Sequence, residues 1–270
     1  MTKPTLCFIG AGNMASSLIG GLIHDHYPPQ QIIACDIDPV KLEALNHEFQ
    51  IRTDTDSLNA VEQADVVILA VKPQIMQAVC TTLHAVEHRP LYLSIAAGVR
   101  EIDINRWLGS DHAVVRCMPN TPALVGLGAS ALYANDAVSD LQKQLAEEIL
   151  RSAGITVWVR QESELDAVTA ISGSGPAYFF LFIEALQEAA IELGLSAENA
   201  ARLARQTALG AATMALDKDV VALRAQVTSP GGTTERAIAS FEQNQLRQIV
   251  KEATQAACQR SQELAKALSK

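Results

Sequence analysis

Short apolar runs separated by amphipathic segments fill the first 160 residues. Runs of this length predict buried strands, at residues 5–9, 31–35, 66–71, 91–95, 113–117, 128–134 and 154–159. The segments between them predict helices, around residues 18–23, from about residue 39, and at 75–83, 100–108 and 140–151. Buried strands that alternate with helices are typical of a parallel doubly wound sheet. An α/β domain is therefore predicted for residues 1–160.

The strand pattern ends after Glu162, so residues 161–270 are predicted to form an all-helical domain. The predicted helices lie at residues 178–192, 196–214, from 235, and 246–268. Residues 178–183 are apolar on nearly every face, so the start of that helix is expected to be deeply buried. The last helix carries a seam of small apolar residues. This seam favours packing on a partner subunit or on its own domain, and the pattern leaves both open.

Charge and cysteine usage narrow the class of protein. The net charge of −9 argues against nucleic acid or an anionic membrane as the main partner. The five cysteines show no CxxC spacing and no nearby histidine, which predicts free thiols in a reducing cytoplasm and no metal site. Residues 4–23 lack charge, but glycines and polar residues interrupt them, so neither a signal peptide nor a membrane span is expected there.

The first predicted strand runs into a Gly-x-Gly-x-x-Ala turn formed by Gly10, Gly12 and Ala15. This pattern is typical of dinucleotide binding, because Gly10 allows a tight turn and Gly12 lets a pyrophosphate approach the backbone. Asp36 ends the second predicted strand, where such folds place the acid that binds a ribose hydroxyl. Alternatively, Asp36 or Asp38 caps the next helix. The sequence leaves both roles open.

Two segments rich in glycine and hydroxyl residues stand in the helical part, at residues 171–178 and 227–234. Each precedes a predicted helix, whose N-terminal N–H groups suit a carboxylate or phosphate. The simpler interpretation is that the first segment is an ordinary loop before a helix and that Thr233 or Thr234 is the N-cap of the later helix. Two such turns together would offer several N–H and hydroxyl donors to one small anion.

Six motifs, in this order along the chain, resemble the pyrroline-5-carboxylate reductase family. They are FIGAGNMA at residues 8–15, AVKP at 70–73, AAGV at 96–99, RCMPNTPALV at 116–125, ISGSGPAY at 171–178 and VTSPGGTTERAI at 227–238. The resemblance covers essentially the whole chain and implies an N-terminal Rossmann domain and a C-terminal helical domain. It also implies homodimers whose helical domains interlock, so that the site uses both chains, and such dimers often assemble into decamers.

The resemblance implies reduction of pyrroline-5-carboxylate to L-proline with NAD(P)H. NADPH is the cofactor expected from the family, although Asp36 would favour NADH. Matching positions and the Asp36 argument together assign the cofactor to Gly10, Ala11, Gly12, Asn13, Met14, Asp36, Ala70, Val71, Lys72, Pro73, Ala97 and Asn120. The substrate is assigned to Ser174, Gly175, Ser229, Gly231, Gly232, Thr233 and Thr234, and Thr234 is the candidate catalytic residue that hydrogen-bonds the ring nitrogen.

Two other functions compete with this one. A β-hydroxyacid dehydrogenase would need a base, commonly a lysine at the start of the interdomain helix, and residues 174–192 contain no lysine. A noncatalytic dinucleotide sensor would leave the two hydroxyl-rich segments unexplained. Reduction of an imine that is already protonated needs no strong acid, which fits the lack of a lysine or histidine in those segments.

Overall fold

The computed structural model describes residues 3–269, which divide into two compact units. The sheet unit contains residues 3–174 together with 257–269, and the helical unit contains residues 175–256. The domain boundary predicted near residue 160 remains a prediction, and compactness alone divides the chain later, after Ser174. Among the residues that the structure describes, no helix combines the length and apolarity needed to cross a membrane.

The described residues of the sheet unit form one sheet of eight strands in the order β3-β2-β1-β4-β5-β6-β7-β8. The strands are β1 (Leu6–Ile9), β2 (Ile32–Cys35), β3 (Arg52–Asp54), β4 (Val66–Leu69), β5 (Leu91–Ser94), β6 (Val114–Met118), β7 (Gly128–Ala134) and β8 (Gly154–Trp158). The helices are α1 (Asn13–His24), α2 (Pro39–Phe49), α3 (Ser57–Glu62), α4 (Met76–Leu83), α5 (Glu101–Trp107), α6 (Asp140–Arg151) and α7 (Glu164–Val168). The predicted α/β class is confirmed.

One pair of strands differs from the parallel sheet that was predicted. Strands β6 and β7 are antiparallel, whereas every other neighbouring pair is parallel. The connection between them spans only residues 119–127 and contains a short 3-10 helix, Thr121–Val125. A parallel neighbour needs a crossover of a dozen or more residues, so this short connection reverses the chain. Hydrophobic pattern alone carries no strand direction, and β3 was missed because its residues are mostly exposed.

Both faces of the sheet are buried, which explains the unbroken apolar runs of the central strands. Successive side chains of a strand point to opposite faces. Accordingly, Leu6 and Phe8 of β1 join one core cluster, whereas Cys7 and Ile9 join the other. Burial also raises the pKa of the Cys35 thiol to about 11 and that of Cys80 to about 12. These core thiols are therefore protonated and unreactive near neutral pH.

The helical unit contains four complete helices and the first part of a fifth. They are α8 (Gly175–Glu192), α9 (Ala197–Met214), α10 (Val220–Gln226), α11 (Thr233–Gln243) and α12 (Leu246–Leu268), whose last turns belong to the sheet unit. The side chains of Ser196 and Asp219 cap α9 and α10, each accepting a hydrogen bond from a backbone N–H of the first turn. Helix α10 was not predicted, because its seven residues carry too little pattern to recognise.

The start of α8 is not buried within the single chain, so this prediction was wrong as stated. Phe179 is 71% exposed and Phe180 65% exposed. An apolar run on every face of a helix needs cover on every side, and one chain of this fold covers only part of it. On a folded protein, a large exposed apolar surface is typical of a site that associates with another molecule.

Two adjacent glycines of α1, Gly20 and Gly21, differ in how closely other parts of the protein pack against them. A Cβ on Gly21 would lie 2.4 Å from the carbonyl oxygen of Ser152, whereas a Cβ on Gly20 would meet only the Phe49 ring, at 3.4 Å. We expect Gly21→Ala to lower the free energy of unfolding by about 1–3 kcal/mol because backbone atoms must separate. Gly20→Ala should be neutral or stabilising by up to about 1 kcal/mol. Equal denaturation midpoints for the two variants would contradict this packing.

Candidate active site

Gly10 lies where β1, β2 and β4 end side by side. Its N–H donates to the Cys35 carbonyl oxygen at 2.7 Å, and the Ala70 N–H donates to the Ile9 carbonyl oxygen at 2.8 Å. The φ angle of Gly10 is +105°, and a Cβ would lie 2.7 Å from the Ala70 carbonyl oxygen. Both the backbone conformation and the contact therefore require glycine. This contact joins two of the predicted cofactor segments, residues 10–14 and 70–73.

Gly12 is different, because nothing in the protein requires it to be glycine. It is the N-cap residue of α1, with φ −84° and ψ 178°, and no side chain caps the helix. A Cβ on Gly12 would meet no atom within 4 Å. The first turn of α1, which begins with Asn13 and Met14, contains no acidic residue and leaves N–H groups free. An open, uncapped N-terminus of this kind fits the pyrophosphate of a dinucleotide.

Asp36 fastens this turn and does not cap the next helix. Its Oδ2 accepts a hydrogen bond from the Ala11 N–H at 2.8 Å, and its Oδ1 accepts one from the Asp38 N–H at 3.0 Å. The N-cap of α2 is Asp38, whose side chain accepts from the Val40 N–H. Of the two acids, Asp38 is thus the cap. Lys41 Nζ lies 3.9 Å from both Asp36 Oδ2 and Asp38 Oδ2 and is half exposed.

The remaining predicted cofactor residues follow β4, β5 and β6. They are Ala70, Val71, Lys72 and Pro73 after β4, Ala97 after β5, and Asn120 after β6. These strands are parallel to β1, so their C-terminal ends share one edge of the sheet with the Gly10 turn. Ligands of doubly wound sheets bind along this edge. Lys72 and Ala97 are exposed there.

Asn120 holds this edge together from inside. It is 9% exposed. Its Oδ1 accepts from the Ala129 N–H at 2.9 Å, and its Nδ2 donates to the Ser172 carbonyl oxygen at 3.0 Å. The side chain therefore connects the start of β7 to the segment that leads into α8. Asn120 was predicted to bind the cofactor, and its internal hydrogen bonds were not predicted.

The segment around Gly173 is helical, which corrects the expectation of a loop turn. Residues Thr169–Gly173 form a π-helix, and the Ser174 N–H donates to the Thr169 carbonyl oxygen at 2.8 Å. Neither Gly173 nor Gly175 has a left-handed φ angle. A Cβ on Gly173 would instead lie 2.5 Å from the Met118 methyl carbon, so the glycine allows close packing. Single π turns often occur at functional sites.

In the helical unit, residues 229–232 form a tight turn before α11. The Gly232 N–H donates to the Ser229 carbonyl oxygen at 3.0 Å, and Gly231 has a φ of +72°. The Gly231 N–H donates to Glu235 Oε2 at 2.8 Å. Gly232 is the N-cap and has no side-chain cap, so the alternative that Thr233 or Thr234 caps the helix is wrong.

Each segment has one hydrogen-bonded hydroxyl, because Ser172 Oγ donates to the Val168 carbonyl oxygen and Thr228 Oγ1 donates to the Arg224 carbonyl oxygen. Four other hydroxyl groups are unused within the described residues. Over residues 3–269, Ser174, Ser229, Thr233 and Thr234 make no side-chain hydrogen bond. Thr234 is half-buried in the first turn of α11, and Ser174 is half-buried beside the start of α8. Free hydroxyls at an uncapped helix N-terminus can bind a small carboxylate. In the same range, no group of three or more His, Cys, Asp or Glu side chains is arranged to hold a metal ion.

A charged network in the sheet unit was missed by the sequence analysis. Arg116 Nη1 donates to Glu162 Oε1 at 2.7 Å, and the Glu101 N–H donates to the same oxygen at 2.5 Å. The Asn135 amide donates to Glu101 Oε1 at 2.7 Å. Arg116 stands inside one of the motifs quoted above, and an arginine in a buried strand could have signalled a buried acidic partner.

Comparison with known families agrees with this geometry. Residues 5–98 match the family model described as NADP oxidoreductase, coenzyme F420-dependent. The doubly wound sheet and the open Gly12 turn are the features that dinucleotide-dependent oxidoreductases share. The chain is therefore a member of the Rossmann-type NADP oxidoreductase class.

Residues 162–264 match the model described as pyrroline-5-carboxylate reductase dimerisation. The pyrroline-5-carboxylate reductase of Pseudomonas aeruginosa is 51% identical over 99% of both chains. The solved pyrroline-5-carboxylate reductase from Coxiella burnetii is 45% identical, with a TM-score of 0.94 over 97% of this chain and 98% of that chain. Plasmodium falciparum pyrroline carboxylate reductase with NADP bound is 30% identical, with a TM-score of 0.85 over 98% and 99%. The chain belongs to the pyrroline-5-carboxylate reductase family.

The two turn glycines separate cofactor binding from folding. We expect Gly12→Ala to lower the unfolding temperature only slightly, because alanine is a poorer N-cap than glycine, but to bind reduced dinucleotide about tenfold or more weakly, which corresponds to about 1.4 kcal/mol. The added methyl group contacts no protein atom, so any loss of affinity comes from its contact with the bound dinucleotide. Gly10→Ala should lower the unfolding temperature as well. Fluorescence titration and thermal unfolding measure both effects, and unchanged affinity in Gly12→Ala would exclude pyrophosphate from this turn.

Proposed function

We propose that this protein reduces L-1-pyrroline-5-carboxylate to L-proline by hydride transfer from NAD(P)H, the last step of proline biosynthesis. The observation that carries the proposal is 51% identity, over nearly the whole chain, to a pyrroline-5-carboxylate reductase. Both segments expected to bind substrate are helix starts with unused hydroxyl groups. The direct test is NADPH consumption with pyrroline-5-carboxylate, together with detection of L-proline.

The cofactor, when bound, supplies the hydride. The chain's own contribution is to position the substrate, and positioning can account for a large share of an enzyme's rate. A protonated cyclic imine already accepts hydride readily, and its amine product stays protonated near neutral pH. A neutral hydroxyl group therefore suffices beside the ring nitrogen, and we assign that role to Thr234.

We assign the substrate carboxylate to the turn before α11. Ser229, Gly231, Gly232 and Thr233 would offer backbone N–H and hydroxyl donors, and Ser174 and Gly175 would contribute at the start of α8. The positive end of the α11 dipole favours a carboxylate at this position. A Cβ on Gly232 would lie 2.6 Å from Ser229 Oγ, so glycine at this position leaves room for the Ser229 hydroxyl.

Thr234 gives the sharpest test of this assignment. We expect Thr234→Ala to lower kcat roughly tenfold to a thousandfold, the scale of losing one positioned donor. Thr234→Ser keeps the hydroxyl and should retain most of the activity. Glu242→Ala, lower on the same helix, serves as a control at an exposed position. Steady-state kinetics with pyrroline-5-carboxylate measures the effect, and a wild-type kcat in Thr234→Ala would remove this residue from the mechanism.

For the cofactor, we propose NADPH as the working reductant, with NADH also accepted. The NADP-bound relative supports this choice. Asp36 would repel a 2′-phosphate, but Lys41 Nζ lies 3.9 Å from its carboxylate and provides an exposed cation. The Asp36 carboxylate also accepts two backbone hydrogen bonds, which disperse its charge. Lys41 would then bind the 2′-phosphate.

Lys41→Ala should raise KM for NADPH about two- to fivefold and leave KM for NADH unchanged, because an exposed charge pair is worth up to about 1 kcal/mol. Lys143→Ala is the matched control, since Lys143 is similarly exposed and also lies 3.9 Å from an acid three residues away. An equal loss with both cofactors would show that Lys41 does not bind the 2′-phosphate. A large NADH preference in the wild type would reject NADPH.

We propose that two chains pair through their C-terminal helices, and that the dimers assemble further into a decamer as in the family. Support comes from the match to a dimerisation model and from the exposed phenylalanines of α8. Light scattering should give at least twice the chain mass of 28.9 kDa, and ten times that mass for the decamer. A mass of one chain would contradict pairing. We also propose a cytoplasmic location, which the five free cysteines support.

A further inference from the structure

The last turns of α12 pack against other elements of the sheet unit. Ser261 is 6% exposed, and its hydroxyl group donates to Asp166 Oδ1 of α7 at 2.6 Å. Eight residues later, the Ser269 hydroxyl donates to Asp103 Oδ2 of α5 at 2.6 Å. Asp103 is only 5% exposed, so this hydrogen bond is partly shielded from solvent. The end of α12 therefore connects α7 to α5.

Between these two hydrogen bonds, α12 covers the loop that follows β5. A Cβ on Gly98 would have three nearest neighbours, and all three belong to α12: Leu268 Cδ1 at 3.5 Å, Leu264 Cβ at 3.6 Å and Ala265 N at 3.7 Å. Leu268 also packs against the core cluster that contains Ala96 and Val99. Ala96 and Val99 therefore anchor the loop in the core, and α12 packs against Gly98 between them.

Gly98 itself cannot fix the loop by its own conformation. Its φ of +75° lies in the left-handed region, which glycine adopts freely but also leaves freely. The neighbouring Ala97 is exposed at the edge where the cofactor residues lie. The conformation of Ala97 consequently depends on what packs against Gly98, and that is the end of α12.

We propose that the end of α12 is a positioning element for the cofactor loop, with Leu268 and Ser269 as positioning residues that act through Gly98 and Asp103. This inference rests on the proposed function only for the identity of the cofactor. Without the α12 contacts, the loop samples more conformations, and binding of the dinucleotide must then order it. The expected effect is weaker cofactor binding with little change in the chemical step.

The test uses the full-length protein and NADPH binding, which needs no substrate. Leu268→Ala should raise Kd for NADPH about three- to tenfold, the range expected for ordering one or two additional groups on binding. At saturating NADPH, kcat should stay within about twofold of the wild type. Leu268→Met conserves side-chain volume and should bind NADPH as the wild type does. Ser269→Ala, a milder change, should weaken binding in the same direction.

Lys266→Ala is the matched control, because Lys266 lies in the same turns and is exposed. The proposal is overturned if folded Leu268→Ala binds NADPH as tightly as the wild type, or if Lys266→Ala weakens binding by the same factor. It is also overturned if Leu268→Ala lowers kcat and leaves Kd for NADPH unchanged. Wild-type protein that binds NADPH but does not reduce pyrroline-5-carboxylate would reject the proposed function alone. The binding comparison among the variants would still stand.

Discussion

The contact between Gly10 and the Ala70 carbonyl group is the constraint on which the site depends. Three parallel strands end at this point, and hydrogen bonds between their ends leave no room for a side chain. The chain must turn sharply, and the turn leads directly into the open N-terminus of α1. Asp36 then fixes the turn by accepting the Ala11 N–H. The place where a pyrophosphate can approach the backbone is therefore determined by the sheet itself.

The same physical device occurs twice, once in each unit. Helices α1 and α11 both begin after a glycine N-cap without a side-chain cap, whereas α2, α9 and α10 are capped by their own Asp or Ser. Capping satisfies free N–H groups and adds stability. The glycine N-caps of α1 and α11 leave N–H groups available for anions, which suits the phosphate and the carboxylate proposed for these positions. Imine reduction needs little more than these two anion sites and a positioned hydroxyl.

The sequence predicted the elements that carry strong periodicity, and it located both glycine turns that precede uncapped helices. The strands β1, β4 and β5 follow directly from apolar runs, whereas α1 begins at Asn13, inside the glycine motif and earlier than predicted. The direction of β7 was missed because the prediction used the hydrophobic pattern and not the length of the connection, which is too short for a parallel crossover. The exposure of α8 was also missed, because an apolar pattern reports what must be covered but not which chain covers it. The π-helix before α8 depends on hydrogen-bond geometry that glycine and serine content does not specify.

Transfer of a labelled hydride tests the account most directly. The protein is incubated with pyrroline-5-carboxylate and NADPH carrying deuterium at the transferable C4 position, and the product is analysed by mass spectrometry and NMR. The account predicts L-proline with one deuterium on Cδ, the former imine carbon, in an amount equal to that of the NADPH oxidised. NADPH that stays unoxidised, or proline without that deuterium, would contradict it.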